Sequence, residues 1–246
     1  MKRLILFAFV LTTLIGCTPK IQVVTLRGSN VRPASDGLIL DNDTLTLRYD
    51  FASERGQMHI TVYNKLNHPL YIDWKRSSFI IGQDKVDYWQ DIADVNLAGA
   101  TYGNRYLFYS VSYITGTIAK EDMVGFIPPQ TRIEKRQFVI VPQGNIPLRG
   151  AFTTEKEPSK MTDRRKTVDV VVYEYASAES PLKFRNYLTF STDKDFKNEF
   201  HIDTNFWASG VKVLPRDQIL SYFNGTYLEP IAFKKPDSFY VPLPIE

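Results

Sequence analysis

The sequence predicts a mainly β protein, an antiparallel β-sandwich with insertions and one short C-terminal helix. Three observations carry that prediction. Aromatic residues are abundant, with 16 Phe, 14 Tyr and 3 Trp, and they favour pleated, half-buried strands over helices. Apolar residues recur with period two in many short runs. Between those runs stand clusters of Gly, Pro, Asn and Asp, the residues that turns require.

Taken in order, the first strand pair is the clearest. Leu45, Leu47, Tyr49 and Phe51 alternate with Thr46, Arg48 and Asp50, and Met58, Ile60 and Val62 repeat the alternation beyond a turn at Arg55-Gly56. A turn at Asn67-His68-Pro69 leads to two more strands, Leu70 to Trp74 and Ser77 to Ile81, with a further short one at Lys85 to Trp89. Later strands cover Arg132 to Val141, Thr167 to Tyr175, Phe184 to Ser191 and Phe200 to Leu214. Pro128-Pro129 bars a helix from running into the first of these. The one helix candidate is Arg216 to Phe223, preceded by Pro215 and closed by Asn224-Gly225.

The 246 residues suit one large domain or two small ones, and 43% apolar content with 13 Gly and 14 Pro excludes collagen-like, coiled-coil and wholly disordered chains. One sandwich over residues 38–230 is expected. It carries an insertion near 90–126 and a connection at 142–166 rich in Pro, Gly, Lys and Arg. Residues 17–37 read as a tether with one short extended piece at Ile21 to Leu26. Residues 231–246, with prolines at 236, 242 and 244, read as an extended tail.

The amino terminus carries an address. Lys2 and Arg3 precede an apolar run from Leu4 to Ile15, then Gly16 and Cys17, the layout of a secretory signal. The run is shorter than the ~20 residues that span a bilayer. Leu14-Ile15-Gly16-Cys17 resembles the lipobox of bacterial lipoproteins. That resemblance implies cleavage before Cys17, a thioether to diacylglycerol and an acylated amine. Cys17 is the only cysteine, which excludes disulfide frameworks, CxxC metal sites and a further catalytic thiol. With residues 1–16 removed, 28 basic residues face 27 acidic ones, so nucleic acid is not an expected partner. No acid follows Cys17 directly. By resemblance to the sorting signals of lipoproteins, the expected location is the periplasmic leaflet of an outer membrane.

A second resemblance rests on Tyr63-Asn64-Lys65-Leu66-Asn67-His68-Pro69-Leu70-Tyr71-Ile72-Asp73-Trp74 and on the Ile127-Pro128-Pro129 turn before a strand. Together with the lipobox these look like Bacteroidetes lipoproteins with an immunoglobulin-like sandwich. Residues 45–141 are also similar to late-embryogenesis-abundant type 2 domains. Neither family supplies catalytic residues.

Chemistry-bearing patterns are sparse. His59, His68 and His201 have no paired spacing, so no metal or other cofactor is expected. Nucleophile elbows, P-loops and Rossmann glycine patterns are absent from the sequence. Asp73, Asp91, Asp94 and Glu174 are candidate members of a glycosidase pair, which needs two carboxylates at a set separation. The cluster Arg164-Arg165-Lys166 reads as a solvated loop. The candidate contact residues are Tyr102, Tyr106, Tyr109, Tyr113 and Trp89, because such rings offer a rigid apolar face with a polar tip. The same rings would equally serve as cover for the sandwich core. The expected role is a non-enzymatic binding or assembly module, held to the membrane by lipid on Cys17, with an envelope protein or a glycan as partner. A glycan-processing protein and a structural brace are the alternatives.

Overall fold

The computed structural model describes residues 18–90, 94–104, 109–119, 121–161 and 166–244, with the backbone alone for 94–104 and 109–119. The strands are β1 (Lys20–Gly28), β2 (Arg32–Ala34), β3 (Gly37–Asp41), β4 (Leu45–Asp50), β5 (Gln57–Asn64), β6 (Leu70–Ile81), β7 (Asp84–Asp87), β8 (Asp94–Asn104) and β9 (Tyr109–Ala119). They continue with β10 (Val124–Ile127), β11 (Arg132–Val139), β12 (Thr153–Pro158), β13 (Thr167–Glu174), β14 (Lys183–Ser191) and β15 (Glu199–Pro215). Helix α1 (Asp217–Leu220) follows, then β16 (Ser221–Phe223), β17 (Leu228–Pro230) and β18 (Ser238–Pro242). The ladders are antiparallel. The fold is the expected β-sandwich with one short helix.

One sheet runs β11-β5-β4-β3-β2, and the larger runs β10-β6-β14-β15-β1-β18. The 17-residue β15 is the spine of the larger sheet. Along one edge it pairs first with β14, from Glu199 to Trp207, and then with β13, from Gly210 to Val213; β1 lies along its other edge. β12 extends the sheet beyond β13, and β7 pairs with the end of β6.

The period-two runs bury their apolar sides between the sheets. Leu45, Leu47, Tyr49, Met58, Ile60 and Val62 meet Ile72, Phe184, Leu188, Ile202 and Phe206 in one core. Four rings tie the layers at the centre. The Phe206 ring lies 4.9 Å from Tyr49, 5.5 Å from Phe51 and 5.0 Å from Phe184, edge-on to the first two and stacked on the third. A smaller cluster of Ile21, Val23, Val170 and Leu214 covers the other face of the large sheet, near the end of β15.

Two segment readings need correction. Residues 20–28 are not a tether: β1 is an interior strand between β15 and β18, with Ile21, Gln22, Val23 and Val24 all buried. Burial on both faces erases the alternation that marks a half-buried strand, which is why Ile21 to Leu26 looked like a short piece beside a linker. The carboxyl-terminal stretch is extended but is no free tail. Phe239 and Val241 are buried, and β18 pairs with β1 over Ile21 to Thr25.

The helix is also shorter than Arg216 to Phe223. It ends at Leu220, because Ser221–Phe223 pair with Leu228–Pro230 and the Asn224-Gly225 signal turns a hairpin rather than capping a helix. The two strands expected at 70–81 are one strand interrupted by a bulge. Tyr187 of β14 stands opposite Ser78, whereas Thr189 stands opposite Asp73. Within the bulge, Ser77 Oγ donates to Asp73 O at 2.5 Å, and the Thr189 amide donates to Ser77 Oγ at 3.1 Å. The connection at 142–166 contains β12, whose partner is β13.

Candidate binding site at the root of the long hairpin

The insertion forms a hairpin of its own. β8 and β9 pair with one another over eleven positions, from Asp94 opposite Ala119 to Asn104 opposite Tyr109, as a sheet separate from the two layers. From Val95 to Ala119 the only charged residue is Arg105. Ala100 stands opposite Tyr113, Tyr102 opposite Val111 and Asn104 opposite Tyr109. In an antiparallel ladder opposed positions share a face and alternate positions repeat it. Positions 102, 109 and 113 therefore belong to one face of the ribbon. Tyr106 and Cys17 lie outside the described residues.

The root of the hairpin is built on the bulge of β6. The bulge leaves Lys75 and Arg76 exposed and turns Trp74 into the core, where its ring lies 5.3 Å from Tyr88. The Trp74 amide donates to Met123 O at 2.8 Å, fixing the chain that returns from β9 against β6. Trp89 then stands where the chain departs toward the hairpin, and its Nε1 donates to Glu121 O at 2.8 Å. An open cleft of about 310 Å³ lies there, lined by Trp89, Glu121, Asp122, Met123 and Val124.

Charge around the cleft is mixed. Lys75 Nζ lies 5.8 Å from the Trp89 ring centre and Lys135 Nζ 5.4 Å from that of Trp74, both within cation–π range. Lys135 also forms an ion pair with the Glu121 carboxylate. Phe126, on the edge strand β10, is exposed and packs 5.6 Å from Tyr71. Gly125, the residue before Phe126 and opposite Ile72, is required by packing. A Cβ there would stand 2.7 Å from Ile72 Cγ2 and 2.9 Å from Trp74 Nε1.

A buried polar relay joins this root to the sandwich. Tyr88 Oη donates to Asn186 Oδ1 at 2.5 Å, and Asn186 Nδ2 donates to Tyr49 Oη at 2.9 Å. The three side chains come from the segment after β7, from β14 and from β4, so the relay crosses from one layer to the other. Burial pushes the Tyr49 hydroxyl up to about 12. The Tyr88 hydroxyl is also pushed up, again chiefly by burial.

Of the residues singled out in the sequence, Trp89 lines the cleft, and the Tyr102, Tyr109 and Tyr113 positions belong to the β8–β9 hairpin. The proposed carboxylate set does not assemble among the described side chains. Asp73 is buried and held by Arg76 at 2.7 Å. Glu174 stands opposite Gly210 on β15, whereas Asp73 stands opposite Thr189, itself opposite His201. Asp91 and the Asp94 side chain lie outside the described residues. The sequence reading passed over Glu121, Asp122 and Met123. Their signal was the run Lys120-Glu121-Asp122 directly after an almost uncharged stretch. Among the described residues no three His, Cys, Asp or Glu side chains gather as a metal site. His59 instead pairs with Glu134 at 3.3 Å, and His201 contacts Thr189 and Glu199. A comparison of the chain with family models, curated proteins and solved structures finds no match in any of the three.

Proposed function

We propose that the chain is a lipid-anchored cell-envelope lipoprotein of Bacteroidetes type. It acts as a non-enzymatic binding module that presents the β8–β9 hairpin and the Trp89 cleft to a partner in the envelope, at the periplasmic side of an outer membrane. The observation that carries this reading is the placement of the two ends of β15. Lys20, three residues after Cys17, stands opposite Pro215. The hairpin root lies toward the other end, since Val124 stands opposite Asp73, Asp73 opposite Thr189 and Thr189 opposite His201. His201 and Pro215 are 14 positions apart on β15, which is about 46 Å of extended chain at ~3.3 Å per residue. An anchor at Cys17 thus holds the cleft and hairpin away from the bilayer.

The test is a cross-linked pull-down of the acylated protein from outer membranes, with Cys17→Ala as the control. One stoichiometric protein partner, weakened by Trp89→Ala or Tyr109→Ala at unchanged Tm, is the expected result. Recovery of no partner, or a loss of stability with binding intact, overturns it.

A glycan partner is the second reading, favoured by one arrangement: a Trp beside two acids in an open cleft. Aromatic faces stack on sugar rings while carboxylates accept from hydroxyls. Titration with envelope oligosaccharides, read by Trp fluorescence, separates it from the first reading. A fluorescence change in the native chain, with calorimetric binding abolished by Trp89→Ala, supports the glycan, and no heat of binding to the native chain excludes it.

A further inference from the structure

We propose that the β16–β17 hairpin is a membrane-docking surface, resting its apolar residues at the headgroup boundary of the bilayer that holds Cys17. The inference rests on the lipid-anchor reading above, and its argument starts from chain length. Only Thr18 separates Cys17 from Pro19, whose carbonyl accepts the Arg216 amide at 2.8 Å. Two residues reach at most about 7 Å at ~3.5 Å each. With no tether in between, an acylated cysteine brings this end of the fold against the lipid.

What the fold exposes at that end suits an interface. α1 begins at Asp217, directly after Arg216, and ends at Leu220, whose carbonyl accepts the Ile231 amide at 2.7 Å. Between those two residues the chain makes the β16–β17 hairpin. Tyr222 is 48% exposed, Tyr227 61%, Leu228 40% and Ile231 44%. They are four of the nine exposed large apolar residues described in the chain, within a ten-residue segment. Scattered single hydrophobics need no explanation, but here one short ribbon carries them on both sides: Tyr222 stands opposite Glu229 on one face, and Leu228 stands opposite Phe223 on the other. Tyrosine is suited to the boundary because its ring is apolar and its tip is wet.

The hairpin holds its shape while exposing those residues. Asn224 Oδ1 accepts the amides of Thr226 and Tyr227 at 2.9 and 3.1 Å, and Gly225 takes φ +100°, a conformation that side chains disfavour.

Charge agrees with an anionic lipid surface. Lys20, Lys160, Lys166 and Arg216 are exposed at this end. Lys160 is placed there by its amide, which donates to Gln218 Oε1 of α1 at 2.8 Å, and Lys166 O accepts the neighbouring Ser159 amide at 2.8 Å. The acids on α1 and the hairpin are Asp217 and Glu229, the latter accepting from Asn224 Nδ2 at 2.8 Å. Basic residues near a membrane are drawn to anionic headgroups over about a Debye length.

The experiment uses the full chain produced in a Gram-negative host, purified from its membranes and returned to vesicles of phosphatidylethanolamine and phosphatidylglycerol. Acylation leaves no native thiol, so single variants Tyr227→Cys and Val86→Cys each carry one environment-sensitive fluorophore. Brominated lipids should remove about half of the emission at position 227, as expected of a group seated ~5–10 Å into the boundary, and leave position 86 unchanged. The mass of the Cys17 peptide is read on the same sample. An acylated peptide with no quenching at 227 overturns the docking while the anchor stands, and leaves the hairpin as a surface for a protein. An unacylated Cys17 overturns the anchor, and the docking falls with it.

Discussion

Asn186 is the single residue whose removal most directly tests how the hairpin root is joined to the sandwich. It accepts from Tyr88 and donates to Tyr49, and all three side chains are at most 1% exposed. Asn186→Ala leaves two buried hydroxyls without their partner. Each such orphan costs about 1–3 kcal/mol, far more than the net worth of the hydrogen bond itself. A loss of about 3–5 kcal/mol is therefore expected, or roughly 6–20 °C in Tm for a domain of this size. The informative comparison is a second variant carrying Asn186→Ala, Tyr49→Phe and Tyr88→Phe together. It removes both orphaned hydroxyls and leaves only the Thr204 hydroxyl beside them, which is buried and unpaired already, so at least half of the lost stability should return. Urea unfolding followed by far-UV circular dichroism measures both. A single variant that costs less than 1 kcal/mol, or a triple variant no more stable than the single one, refutes the reasoning.

Further outcomes follow from the same geometry. Tyr49 keeps its proton to about pH 12 in the folded chain but to ~10 when unfolded. The unfolded state therefore releases that proton first, and stability should fall as pH rises from 10 toward 12. The fall is about 3 kcal/mol for this group alone, measured by urea unfolding at stepped pH and lost in Tyr49→Phe. Gly125→Ala forces a methyl against Ile72 and Trp74, at a cost of about 1–3 kcal/mol, and should shift the Trp emission by moving the Trp74 ring. Trp89→Ala should weaken the partner or oligosaccharide by at least tenfold, with a change in Tm of a few degrees at most, because the ring is only partly buried. Truncating β18 by deleting residues 238–246 should unfold the domain, since Phe239 and Val241 are buried in the core; a retained cooperative transition would refute this.

The legibility of the chain divided along the faces of its strands. Where one face meets the core and the other meets water, as in β4 and β5, the alternation of Leu45, Leu47 and Tyr49 is written in the residues themselves, and so was the sheet class. The bulge in β6 was legible as a break between Trp74 and Ser77, because its exposed Lys75-Arg76 pair interrupts the apolar pattern. β1 is covered on both sides, so Ile21 to Val24 carry no period, and only the pairing with β15 and β18 distinguishes an interior strand from a tether. That difference sets the start of the domain at Lys20 rather than after residue 37. The candidate site divided in the same way. Trp89 and the tyrosines of 102–113 stood out by composition alone. Glu121, Asp122 and Met123 did not, because their place in the cleft depends on a hairpin that returns the chain to where it left. Composition and local period determined the sheet class, the short helix and the aromatic insertion. The cleft, the relay through Asn186 and the ends of β15 were decided by tertiary structure, since each is made of residues far apart in the chain that only long-range strand pairing brings together.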